Sequence, residues 1–258
     1  IADPRPANLM PARFNPTYRA IFAAGVTVGV MTAFVLVATV IRDLVIAYRF
    51  GIGDVVDAFF MALLLPGIAV QVIAVSLATA AVPQLIRLQN RDEAAAAALA
   101  ANIGVVVVAC SLLATAGLAL LSGPIVELLS AGFSPEKAAL TRWLFVLLLP
   151  SIILQGWSTF VGGLINARRR FGIVAAAPAF RPLMMIAALM LPTDDPAILV
   201  AGLLGGLLLE AVLVSTLAVQ LGLPVLPRWH GLDTGTRVVL KEFGPAGAST
   251  LIMAVAQF

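Results

Sequence analysis

Apolar positions in this chain fall into long unbroken runs separated by short polar breaks. A helix that crosses a bilayer needs about 20 consecutive apolar residues. Runs of that length predict six spans, over 20–48, 55–88, 94–121, 140–165, 173–191 and 197–221, with a seventh beginning near Arg237 and cut by the chain end. The runs do not alternate with period two, which argues against a β-barrel. Prolines punctuate the spans: Pro66 is placed to kink the second, Pro83 lies near its end, Pro150 interrupts the fourth, and Pro178 and Pro182 fall in the fifth. Between the third and fourth spans, Ser134 is placed to cap a turn begun by Pro135 and Glu136. The chain thus divides into a polar tail (1–19), a six-helix membrane lobe (20–221), a polar loop (222–236) and the start of a seventh helix (237–258).

Composition agrees. The chain is 61% hydrophobic and 11% charged, against about 45–50% and 25% in soluble domains, so the fold class is an all-α polytopic membrane protein. Cys110 is alone and His230 is alone, which leaves no expected disulfide, metal site or cofactor. No Walker motif, nucleophile elbow or zinc signature occurs, so a transporter or membrane scaffold is expected rather than an enzyme, with no nucleic-acid partner. Because the chain starts at Ile1 and stops at Phe258 inside an apolar run, a fragment or trimmed chain is expected. The polar, proline-rich tail does not read as a signal peptide.

Charge changes the picture through its placement. Arg5, Arg13, Arg19, Arg87, Arg91, Arg168, Arg169, Arg170, Arg228, Arg237 and Lys241, which are 11 of the 16 Lys and Arg, fall on one side of the predicted spans. Arg49, Lys137, Arg142 and the acidic pair Asp194-Asp195 fall on the other. The positive-inside rule then puts the N-terminus in the cytoplasm.

A charge inside a membrane span is expensive, at least about 2.5–3.5 kcal/mol for a central Arg, and by default marks a substrate or ion path. Arg42 and Asp43 lie deep in the first span. Arg42 and Arg49 are seven apart and share a helix face, an arrangement of two guanidiniums that suits a diphosphate. The structural alternatives are an Arg42 ion pair with another helix and an Arg49 that snorkels to the outer surface. Asp43 points about 100° away from Arg42 round the helix and reads equally as a proton or cation site or as the partner of another Arg. Asp54 and Asp57 open the second span as a cap and a first-turn acid favoured by the helix dipole, with a gating contact to Arg49 as the sharper reading of Asp57. Arg181 and Glu210, midway along the fifth and sixth spans, read first as an ion pair. Otherwise Arg181 is a further phosphate ligand and Glu210 a coupling group. Arg168, Arg169 and Arg170 anchor topology and are candidates for anionic lipid headgroups. Gly25/Gly29 and Gly202/Gly206 have the spacing of close helix packing.

Several segments resemble, in order and spacing, the MurJ/MviN family of lipid-linked cell-wall precursor flippases. They are Arg42-Asp43, Phe50-Gly51-Ile52-Gly53, Asp57-Ala58-Phe59-Phe60 with Pro66, Ala131–Lys137, Leu164–Phe171, Ala175–Pro182 and Glu242-Phe243-Gly244-Pro245. The resemblance implies the first lobe, plus one helix, of a two-lobe transporter with fourteen helices and a cationic cavity. It implies alternating-access movement of lipid II, an undecaprenyl-diphosphate-linked peptidoglycan precursor, across the bacterial cytoplasmic membrane. The drive would be an ion gradient or the membrane potential, and cell-wall synthesis proteins are possible partners. The chain departs from the family where Val35-Leu36 stand in place of a Ser-Arg pair. It departs again where Val70-Gln71 and Val75-Ser76-Leu77 replace an Arg pair and a Glu-Gly-Ala run, and where Arg181 stands at a usually neutral position. These departures keep three alternatives open: a flippase for another polyprenyl-linked oligosaccharide, a cation-coupled drug exporter, and a transport-inactive scaffold for cell-wall synthesis.

Overall fold

The computed structural model describes residues 16–51, 53–89, 91–130, 132–168 and 170–255; most of the polar tail, with Arg5 and Arg13, and Arg169 lie outside them. Among the described residues, five helices are long and apolar enough to span a membrane, and a bent helix pair makes a sixth. These are the six predicted spans, and the chain is a multi-pass membrane protein.

The first helix, α1 (Pro16–Phe50), is the least accompanied. It packs on the segment 171–189, and of its described side chains only Ala38 and Ile46 are buried. It stops at Gly51, whose positive φ of 72° lets its N–H reach back to the Ala47 carbonyl at 2.9 Å. The second span joins α2 (Asp54–Val70) to α3 (Ser76–Gln89) through a π-helical turn at Gln71–Val75. The expected break at Pro66 is displaced: Pro66 stays inside α2 on its buried face, and the ladder widens five residues later. The cap at the start of α2 is Gly53 in extended conformation, so Asp54 and Asp57 are both first-turn acids.

Helix α4 (Glu93–Leu120) is capped by Asp92, whose carboxylate accepts from the Ala95 N–H at 3.0 Å. Its buried Ala96, Ala100 and Ala101 leave room for neighbouring helices to approach closely. A short α5 (Ser122–Leu129) leads to α6 (Pro135–Leu148), whose cap is Ser134, with Pro135 in the first turn. Helix α7 (Pro150–Ala167) continues the same span after a 42° bend. Pro150 has no N–H for the ladder, and the bend falls there as the sequence indicates. The fifth span is α8 (Phe171–Ala176), a 3-10 turn through Pro178, and α9 (Phe180–Leu189). Then come α10 (Ala197–Gln220) and α11 (Thr234–Val255), which packs on α3 and the π turn.

Two apolar clusters fill the interior. One joins Phe59, Phe145, Leu148, Ile152 and Leu207; the other joins Leu77, Leu99, Ile103, Phe160 and Val161. Among the described glycines, those of α10 meet a neighbouring backbone most closely, at α9. A methyl group on Gly206 would sit 2.6 Å from the Arg181 Cα, and one on Gly202 2.8 Å from the Met185 Cα. By contrast, nothing lies within 4 Å of a methyl on Gly25 or Gly29. Gly206→Ala is therefore expected to force the two helices apart, costing about 1–3 kcal/mol or more as overpacking does, while Gly25→Ala is silent. Thermal unfolding of the two variants in detergent checks the contrast.

Candidate functional site

The charges deep in the first, fifth and sixth spans, Arg42, Asp43, Arg181 and Glu210, are each matched by a specific partner. On α1, Arg42 turns onto its own neighbour: its Nε and Nη2 both donate to Asp43 Oδ1, at 2.9 and 2.7 Å. The helix angle sets the two Cβ directions apart, but the long guanidinium arm bends across the gap. Burying the pair as a neutral unit lowers the cost of holding Arg42 in the membrane. The pair is unevenly covered, with the Arg42 side chain 18% exposed and that of Asp43 45%. One carboxylate oxygen takes both bonds, so the Nη1 edge of Arg42 is not engaged by Asp43.

Arg49 does not share a phosphate fork with Arg42. Its guanidinium donates to the carbonyls of Leu189 and Thr193, the second at 2.6 Å. Those groups lie at and just past the end of α9, where helical carbonyls lack intrahelical donors and a cation is favoured. Rather than snorkelling, Arg49 ties the end of α1 to the end of α9. Asp57 likewise turns away from Arg49. Lys137, in the first turn of α6, reaches Asp57 at 2.7 Å and Asp54 at 3.0 Å, and lies 4.3 Å above the Phe133 ring. This clamp joins the starts of α2 and α6, and its exposed carboxylates make it a weak, solvent-screened contact.

Arg181 and Glu210 meet between α9 and α10 in a bidentate pair, Nε to Oε2 at 2.5 Å and Nη2 to Oε1 at 2.9 Å. Glu210 is buried, and its carboxylate takes both bonds from Arg181. At the opposite end of the bundle from Arg49, Arg168 pairs with Glu93 at 3.1 Å, and Arg170 is exposed at the start of α8.

Two open grooves flank the second span. One, of about 620 Å³, runs from Asp57 past Phe60 and Gly67 to Gln71. The other, of about 720 Å³, lies between α3 and α7 and holds Thr79, Gln89 and Asn166, whose Oδ1 is buried without a partner. Neither groove is lined by Arg42.

One structural polar residue was not singled out by sequence. Asn102 is fully buried in α4, donates to the Gly231 carbonyl at 2.8 Å and the Thr236 hydroxyl at 3.0 Å, and accepts from the His230 N–H at 2.7 Å. A lone amide in an Ala/Val run is the only signal it gives. Asn102→Ala is expected to destabilise by about 1–3 kcal/mol through the orphaned buried groups. It should also speed proteolysis in 222–233, which limited digestion measures.

With this geometry in hand, comparison with known proteins decides the family. The family model described as "Lipid II flippase MurJ" matches residues 46–258. The chain belongs to the MurJ family. Among relatives, a probable lipid II flippase MurJ from Buchnera aphidicola subsp. Baizongia pistaciae is 26% identical over 213 residues, 79% of this chain and 41% of that protein. One from Haemophilus influenzae is 27% identical over 232 residues, 84% of this chain and 45% of that protein. The chain thus spans less than half the length of the curated MurJ relatives it matches. A solved lipid II flippase MurJ in an inward closed conformation superposes with a TM-score of 0.72 at 19% identity, over 88% of this chain and 48% of that one. A transporter of the MOP superfamily from Pyrococcus furiosus, described as having a binding pocket of reversed polarity that suggests a different function, gives the same TM-score at 14% identity, over 91% of this chain and 54% of that one. The fold is therefore common to transporters beyond MurJ, and it is the family match that separates them. Arg42 and Asp43 lie just upstream of the matched residues, whereas Arg49, Asp57, Arg181 and Glu210 lie within them.

Proposed function

We propose that the full-length protein is a flippase that carries lipid II from the inner to the outer leaflet of the bacterial cytoplasmic membrane, and that this chain forms its first lobe. The MurJ family match across residues 46–258 carries this reading, supported by relatives named probable lipid II flippases. Residues 20–221 form the lobe, 222–236 a cytoplasmic loop and 237–258 the start of the seventh helix, with tail 1–19 in the cytoplasm. The basic excess on one side supports that orientation.

Arg42 is the residue that takes the lipid diphosphate. Its Nη1 edge is not held by Asp43, and the Asp43 carboxylate stands where an anionic phosphate oxygen can replace it. Asp43 is then a resting counter-ion, and its release on substrate entry offers a link to the ion gradient or membrane potential that drives the cycle. Arg181 and Glu210 serve structure through their mutual pair, as does Arg49 through α9. Asp57 acts through the Lys137 clamp.

A second reading, a flippase for another polyprenyl-linked oligosaccharide, is favoured by one observation: Val35-Leu36 and Val70-Gln71 stand where the family resemblance leads one to expect arginines. Complementation separates the two. Expression of the full-length protein is expected to restore growth of bacteria depleted of their own lipid II flippase. Lysis despite normal membrane levels favours the other glycan.

A further inference from the structure

The loop between α10 and α11 presents an unusual surface. Leu226, Trp229 and Leu232 are 66%, 51% and 53% exposed, and Arg228 and His230 stand exposed among them. This is not slack chain. Asn102, fully buried in α4, holds the His230 N–H and the Gly231 carbonyl. Gly231 adopts φ +98°, a left-handed conformation that glycine takes without strain. Asp233 then caps α11 by accepting the Thr236 N–H at 2.7 Å. The His230 Nδ1 lies 3.0 Å from the Arg228 carbonyl, which ties the two basic residues together.

Beside the loop runs a groove of about 530 Å³ walled by Ala97, Ala101, Val219 and Leu223, with Arg228 and His230 among its lining residues. It lies where α10 ends and α4 begins, at one face of the membrane-spanning bundle. Among the described residues no carboxylate pairs with Arg228. Apolar walls with a cation among them match a lipid, with acyl chain against the alanines and phosphate against the guanidinium. A half-exposed Trp beside it suits the headgroup layer, where an indole keeps its ring in the apolar zone and its N–H near water.

We propose that Leu223–Asp233 and the adjoining groove form a binding site for an anionic phospholipid, with Arg228 on the phosphate and Trp229 inserted at headgroup depth. The site differs from the Arg168–Arg170 cluster. It rests only on the chain crossing a membrane, whatever the protein carries and whichever way it faces.

The test uses the full-length protein in nanodiscs containing phosphatidylglycerol or phosphatidylcholine with brominated acyl chains, at equal low mole fraction. Trp229 emission is isolated as the difference between the native protein and Trp229→Phe. Both lipids are expected to quench it, with brominated phosphatidylglycerol more effective by roughly fivefold, the surface enrichment one basic residue confers. Arg228→Gln, a change at an exposed position, should abolish the preference while leaving quenching by phosphatidylcholine. Equal quenching of the native protein by the two lipids overturns the anionic site. No quenching by either overturns the insertion and leaves Trp229 in water or covered by protein. Neither outcome depends on lipid II transport.

Discussion

Arg42→Ala in the full-length protein is expected to abolish delivery of lipid II to the outer leaflet. The expectation follows from the state of the other intramembrane cations. Arg49 is committed to the end of α9, and Arg181 to Glu210. Only Arg42 is held by a same-helix neighbour through one carboxylate oxygen, and so is open to exchange. A charge-assisted bond to phosphate is worth about 1.5–3 kcal/mol, or roughly ten- to a hundredfold in affinity. Arg42→Lys keeps the charge but not the two-pronged geometry, so it should retain partial flux. Native flux in Arg42→Ala, at normal protein levels, contradicts the assignment. Because the variant leaves Asp43 without its partner inside the span, its level in the membrane is measured beside its flux.

The second large effect is on stability. Glu210→Ala leaves the Arg181 guanidinium uncompensated between α9 and α10, beside the close approach of the two backbones at Gly206. Breaking a buried pair by removing one partner costs about 3–5 kcal/mol, whereas replacing both by apolar side chains of similar volume is often neutral or stabilising. The single variant should therefore accumulate poorly and unfold at lower temperature, and the double variant Arg181→Met/Glu210→Met should recover. Thermal unfolding of the purified variants measures both. A double variant as unstable as the single would mean that the pair does more than neutralise itself, and a coupling role for Glu210 would return.

The parts of the fold that were legible in the sequence are those set by local chemistry. Runs of apolar residues fix the spans, Pro150 bends the fourth because it lacks a donor, and Ser134 caps where its side chain reaches the next turn. What depends on distant partners was not. Gly25/Gly29 and Gly202/Gly206 have the same spacing, yet only the second pair meets another backbone, because packing needs a helix on the other side. Arg49 bonds a carbonyl 140 residues away, which no helix-face argument contains. Helix angles placed Arg42 and Asp43 apart, and a flexible arm brought them together. The π turn at Gln71–Val75 falls beyond the proline that suggested a break. Asn102 shows only in three dimensions that it anchors a loop.

The central claim is the movement of lipid II, and its most direct measurement is the fraction of lipid II exposed on the outer leaflet. The full-length protein is expressed in bacteria depleted of their own lipid II flippase, and surface-accessible lipid II is labelled and compared with the total pool. Restoration of the labelled fraction towards that of undepleted cells, lost again with Arg42→Ala, is the predicted result. A labelled fraction that stays at the depleted level, with the protein abundant in the membrane, contradicts the claim.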